Sequence, residues 1–216
     1  MPDLTFKVIG AEVAAFAATP TLLFKLRIVN ADELEPIDSV ALRCQLQIAV
    51  TRRRYNTTAR VRLVEIFGAP ERWNETMRSL LWTHISATIP QFTGSTTIDL
   101  PVPCTYDFEI ATTKYFHALE DGDIPLTFLF SGTIFYENFQ GMLRVAQIPW
   151  SKEASYSLPI TLWQTMTEHY DPNSTWLRLH RDVFDQLYQY KIRHGLPTWE
   201  ETLTRLLQAS GEEVSH

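Results

Sequence analysis

Ser39-Val-Ala-Leu-Arg-Cys-Gln-Leu-Gln-Ile-Ala-Val-Thr51 decides how this chain is read. Val40, Leu42, Cys44, Leu46, Ile48 and Val50 are apolar at every second position, with Arg43, Gln45 and Gln47 between them. A repeat of two is the period of a strand, whose successive side chains point to opposite faces. One apolar and one polar face make this a half-buried strand of an antiparallel sheet.

Similar segments flank it. Leu4 to Phe16 reads as a first strand, and Thr19-Pro20 punctuates it. Leu22 to Asn30 is a second, with Phe24, Leu26 and Ile28 on one face and Lys25 and Arg27 on the other. On the far side, residues 57–80 depart from the two-residue rhythm. Val61, Val64 and Phe67 have helical spacing, Gly68-Ala69-Pro70 stops that piece, and Trp73 and Met77 fall four apart in a second short helix.

The strand pattern then returns. In Leu81 to Ile89 the expected apolar face is Leu81, Thr83, Ile85, Ala87 and Ile89, with Trp82, His84 and Ser86 opposite. Thr96 to Val102 and Thr105 to Ile110 follow; Pro101 and Pro103 favour a sheet edge, because proline cannot donate to a ladder. Tyr115 and Leu119 allow a helical turn. After the turn signal Asp121-Gly122-Asp123, Pro125 to Tyr136 and Met142 to Ile148 form a hairpin around residues 138–141.

Beyond Trp150 the spacing becomes helical. Pro159 suits a first helical position, with Ile160, Trp163 and Thr167 on one face, and Asp171-Pro172 ends that piece. A second helix is expected over 182–194, with Val183, Leu187 and Tyr190 inward and Gly195 as its cap. Thr198 and Glu201 have capping-box spacing and open a third helix, striped by Trp199, Leu203, Leu206 and Leu207.

The expected fold is therefore α+β and β-dominated. It is an antiparallel β-sandwich over 1–150 with a helical insertion near 57–80, because an apolar sheet face needs a second layer. Greek-key or immunoglobulin-like order is the arrangement this pattern suggests. Residues 151–216 would be a helical tail packed on the sandwich and not independent of it, since such short helices need a surface.

Composition narrows function. The chain has 216 residues, 45% of them apolar and 20% charged, which is ordinary for a folded protein. Nineteen basic against 25 acidic residues give a net charge of −6, which disfavours nucleic-acid binding. The basic run Arg52-Arg53-Arg54 reads as a solvated strand end rather than an anion site. No apolar run approaches bilayer length, and residues 1–3 start without a leader pattern, so a cytoplasmic location with reduced thiols is expected.

Catalytic patterns are thin. Cys44 and Cys104 lack the close-spaced partners of a zinc site and read as inert thiols. His84, His117, His169, His180 and His194 are scattered. His84 is the best catalytic candidate, because it faces away from the expected apolar stripe, and Asp107 and Glu109 share one strand face. Ser131-Gly132-Thr133 is not a nucleophile elbow, and Thr93-Gly94-Ser95 is not a phosphate loop. No catalytic residue, metal ligand or cofactor is assigned. Six tryptophans are a heavy load, and Trp150, Trp163, Trp176 and Trp199 cluster toward the tail as candidate partner-binding residues.

Several segments are also distinctive in themselves. Ala41 to Gln47, Phe92 to Ser95 running to Leu100 to Asp107, Leu129 to Thr133, Pro172 to Ser174 with Trp176 to Leu179, and Gly195 to Trp199 resemble a bacterial family of unknown function. The resemblance covers nearly the whole chain. Members of that family are often encoded near nickel–iron hydrogenase genes of the actinobacterial type. What this resemblance implies is a role in hydrogenase assembly or operation; together with the sandwich pattern, the aromatic tail and the missing catalytic motif it leads to the expectation of a non-enzymatic accessory protein that binds another protein, such as a hydrogenase subunit or maturation factor. The alternative is a small-ligand-binding protein or enzyme with a pocket between sheet and helices, to which His84, Asp107 and Glu109 would contribute.

Overall fold

The computed structural model describes residues 2–104, 110–138, 140–170 and 179–210. They belong to two compact units, Met1–Asn173 and Ser174–His216.

The first unit is an antiparallel sandwich. One sheet holds β1 (Leu4–Val13), β2 (Thr21–Asn30) and β6 (Ser95–Pro103) in the order β1-β2-β6. The other follows the order β4-β3-β7-β8, with β3 at Pro36–Ile48, β4 at Leu80–Ile89, β7 at Asp123–Glu137 and β8 at Leu143–Gln147. The two-residue β5 (Phe92–Thr93) also pairs with β3, and β9 (Glu153–Pro159) pairs with β7. The proline-bearing β6 lies at an edge, as its missing donors require.

The deciding stretch is the middle of the larger sheet. Cys44 lies between Ile85 and Phe130, and Leu46 between Thr83 and Phe128, so its apolar face becomes the core face. Across the sandwich Phe24 meets Phe128 edge-on at 5.2 Å, and Phe6 stacks on Phe130 at 4.4 Å. Such ring pairs add about 0.5–1.5 kcal/mol each beyond the area they bury. Gly132 of β7 lies beside Leu42 of β3 with a φ of +140°, and a Cβ there would run into the Ala41 carbonyl oxygen.

Three sequence expectations need correcting. In β4 the ladder slips between Leu46 and Gln47, pairing Leu46 with Thr83 but Gln47 with Leu81. This bulge places Trp82 out of register and turns its ring inward, 6% exposed, while Leu81 faces out. The strict two-residue count inverted both residues. In α1 (Thr57–Phe67) the inward side is Ala59, Leu63 and Phe67, and Val61 and Val64 are exposed. Asn56 caps that helix by accepting from the Ala59 N–H at 2.8 Å, which fixes where its turns fall. Finally, residues 153–159 are strand rather than tail, and the first compact unit runs on to Asn173, past the expected boundary at 150.

Helices close the sandwich. A 3-10 turn at Pro70–Arg72 leads into α2 (Trp73–Thr76), where the Trp73 Nε1–H donates to the Gly68 carbonyl at 2.8 Å. α3 (Ile110–His117) buries Tyr115 and Phe116, so the helical alternative at Tyr115 holds; residues 105–109, expected as strand, lie outside the described residues. α4 (Ile160–Tyr170) buries Ile160, Trp163 and Met166, and its Tyr170 hydroxyl donates to the carbonyls of Ala14 and Ala17.

The second unit contains α5 (Arg181–Arg193) and α6 (Trp199–Ala209). Thr198 caps α6 by accepting from the Glu201 N–H at 3.1 Å. Phe184 and Tyr188 of α5 pack on the Trp199 ring, with centroids at 5.2 and 6.3 Å. Val183, expected inward, is exposed, and Leu187 and Tyr190 are half-buried.

Candidate functional site

The arm that follows β7 displays the densest run of apolar side chains in the first unit. Asn138 makes the bend: its Oδ1 accepts from the N–H groups of Gln140 and Met142, each at 3.0 Å, and Gly141 supplies the positive φ of 72°. β8 then runs back along β7 with Val145 opposite Phe135 and Leu143 opposite Glu137. Strand alternation sends Ala146 inward, where it is buried, and Leu143 and Val145 outward, 61% and 57% exposed.

A corner follows β8. The Ile148 N–H donates to Gly132 and the Phe130 N–H to Lys152, each at 2.9 Å. Only Ser131 lies between the bonded residues on β7, against Pro149, Trp150 and Ser151 on the returning strand. Those three must therefore loop out, and Trp150 is the middle one, 90% exposed. Met142, at the other end of the arm, is also exposed.

The same strand has an open edge. β8 pairs with β7 and with no other strand among the described residues. Bonded pairs alternate along an antiparallel ladder, so the Ile148–Gly132 bond assigns the next ones to Ala146–Ile134 and Arg144–Tyr136. The N–H and C=O groups of Leu143, Val145 and Gln147 then point away from β7. Unpaired groups of this kind are a template for another strand.

The four tryptophans fall in different places. Trp150 is displayed. Trp163 is core, 6% exposed, tilted against Phe116 and edge-on to His117. Trp199 is half-buried in the second unit, where the Lys191 ammonium lies 5.9 Å from its ring centroid. Trp176 lies outside the described residues.

Within the arginine run, Arg53 is structural. Arg53 Nη1 donates to the Asp123 carbonyl at 2.7 Å, and Nη2 to the carbonyl and carboxylate of Asp121. The guanidinium thus clamps the turn into β7, whose backbone takes the positive φ of 70° at Gly122. Arg52 donates to Ser155 Oγ at 3.3 Å. Arg53 is thus not the solvated side chain that the charge run suggests, whereas Arg52 and Arg54 are exposed as expected. Beside them the Tyr55 hydroxyl donates to the Val50 carbonyl at 2.6 Å and lies 2.9 Å from the Tyr115 hydroxyl. Burial raises the pKa of both phenols, keeping the pair neutral.

Of the acid–base candidates, His84 is exposed on the outer face of β4, and Asp107 and Glu109 lie outside the described residues. Among the described residues no three of His, Cys, Asp and Glu gather at metal-binding distance. Cys44 and Cys104 are free thiols, each pushed up to about 12 by burial. Desolvation lowers the His117 pKa.

Sequence reading missed Met142, Leu143 and Val145. Their alternation announces a strand, but it does not say which of its faces the second sheet will cover.

No curated protein matches the chain. A family model described as a family of unknown function, DUF6084, matches residues 1–215, and the chain belongs to that family.

Proposed function

We propose that the chain is a non-enzymatic accessory protein that binds another protein through the arm Met142–Trp150. The observation that carries this reading is the display, within nine residues, of Met142, Leu143, Val145 and Trp150 beside an unpaired strand edge. A partner segment adding to β8 would gain main-chain hydrogen bonds from Leu143, Val145 and Gln147 and would cover the two outward side chains. Trp150 is the kind of large, rigid side chain that anchors interfaces.

The partner we propose is a nickel–iron hydrogenase subunit or maturation factor, on the strength of the segments named in the sequence analysis. The test is affinity capture from cells producing hydrogenase, with wild type beside Val145→Asp and Trp150→Ala. Enrichment of a hydrogenase-related protein by wild type, reduced about tenfold or more by each variant, supports both parts, since hot-spot losses reach ~2 kcal/mol. Equal capture by all three chains overturns the docking surface. Capture of no hydrogenase-related protein overturns the partner.

A further inference from the structure

We infer that the outer face of the smaller sheet binds a phosphate group between Lys7 and Arg27.

The strand register sets these two cations side by side. Lys7 of β1 lies directly opposite Arg27 of β2, and Arg27 lies opposite Thr97 of β6. Phe6, Val8, Leu26 and Ile28 on either side are buried, so strand alternation sends Lys7 and Arg27 outward, and both are exposed, as is Thr97. The Cβ atoms of opposite residues lie about 5 Å apart, and like charges in that position destabilise a sheet.

The sheet does not answer this repulsion from within. Its three strands carry the charged side chains Lys7, Glu12, Lys25, Arg27 and Asp99. Lys25 engages both acids, with its Nζ 3.0 Å from Glu12 and 3.4 Å from Asp99. Among the described residues Lys7 and Arg27 have neither an ion pair nor a side-chain hydrogen bond. Two adjacent cations are thus left uncompensated on a chain whose net charge is −6. An anion lying between them replaces one repulsion with two attractions.

The side chains of the row select the anion. The guanidinium is a planar fork that matches a phosphate in two-point contact, and the ammonium is a compact point charge. Thr97 adds a hydroxyl donor. Thr5 and Ser95, both opposite Val29, bring hydroxyls to the next outward row. A phosphate group, with a charge of about −1.5 to −2 and three acceptor oxygens, fits two cations and a hydroxyl. Glu12 and Asp99 on the same face repel an extended anionic surface, which favours a soluble phosphate ligand over a lipid headgroup.

Thermal unfolding of the full chain in sodium phosphate, against sodium chloride at equal pH and ionic strength, tests this. Wild type should melt about 2–4 °C higher in phosphate, since a ligand bound only by the folded chain raises the midpoint. Lys7→Thr and Arg27→Gln should each melt no lower than wild type in chloride, because the like-charge contact is gone, and each should lose the phosphate-specific rise. Amide resonances of residues 5–9, 25–29 and 95–99 should shift saturably with phosphate. Trp150→Ala should keep the whole response, so this site and the β8 arm stand or fall separately. Vesicles bearing a phosphate-monoester headgroup form the second arm. Binding to them that both variants abolish assigns the phosphate to a lipid, whereas a response to free phosphate alone assigns it to a soluble ligand. Equal melting of wild type in the two salts at about 50 mM phosphate overturns the inference, since even a millimolar site is filled there. So does a phosphate rise that survives both substitutions, or a variant that melts lower than wild type in chloride.

Discussion

Phe24 and Phe184 are the same side chain in two settings. Phe24 is fully buried in the first unit, edge-on to Phe128, Trp82 and Tyr156. Phe184 packs on Trp199 and Tyr188 in the second unit yet remains 43% exposed. The first unit encloses apolar residues from both sheets and from α1, α3 and α4 in one core. In α5 no described side chain is buried, and in α6 Thr202 alone is. The difference teaches where stability resides. The sandwich is held by enclosure, whereas the helices carry their apolar residues on the outside.

The largest effect should come from the point where enclosure is tightest. Gly132→Ala forces a Cβ into the Ala41 carbonyl at the pairing of the two central strands, and the backbone has no slack there. A loss of about 4 kcal/mol or more is expected, the range reserved for strain and overpacking at special sites. Urea unfolding measures it. A variant within 1 kcal/mol of wild type would show that β3 and β7 can separate at that point, contrary to the ladder described here.

The paired phenylalanines come next. Phe24→Ala should cost about 3–5 kcal/mol, the usual penalty for emptying an aromatic site in a core. Phe184→Ala should cost about 1 kcal/mol or less, as partly exposed substitutions do. Equal costs would break the contrast between the two units.

How much of this was legible beforehand depends on what each signal encodes. The period of two in Val40 to Val50 specified a half-buried central strand, because alternation records which face is covered. It failed at Trp82, since a bulge adds a residue without leaving a mark on the hydrophobic pattern. It failed at Leu143 and Val145, since alternation is symmetric between a covered face and a displayed one. Helical spacing found α1 but chose Val61 and Val64 over Ala59 and Leu63, because several apolar stripes fit one short helix. The capping position Asn56 would have settled the phase. Arg53 was hidden for another reason: a charge run says nothing about a carbonyl 70 residues away that one guanidinium will clamp. The candidate docking arm was therefore legible as a hairpin and not as a surface.

Thiol chemistry gives a smaller test of enclosure within the first unit. Burial pushes both Cys44 and Cys104 up to about 12, so neither is a thiolate near neutral pH. Ellman's reagent at pH 8 should titrate no thiol in the native chain and two in denaturant. Prompt native labelling of one thiol would assign it to an opening segment. Cys44 is 1% exposed in the central strand, whereas Cys104 follows an edge strand and is held by a Sγ–H to Val102 carbonyl contact at 3.3 Å. The contrast thus makes Cys104 the first to react as denaturant is added.

The smallest effect is electrostatic and lies at the rim of the core. His117 ends α3 with its ring edge-on to Trp163 at 4.9 Å, and desolvation lowers its pKa below the ordinary 6.5. A base whose folded pKa is depressed binds protons more readily when unfolded, so stability rises with pH across that interval. The stabilisation is complete above about pH 6.5 and is lost as the pH falls through the folded value. His117→Gln removes the titration and should flatten the melting temperature between pH 7.5 and the acid side, whereas wild type declines over the same range. An equal decline in both chains would assign the acid sensitivity to other groups and show that contact with Trp163 desolvates the exposed His117 ring too little to matter.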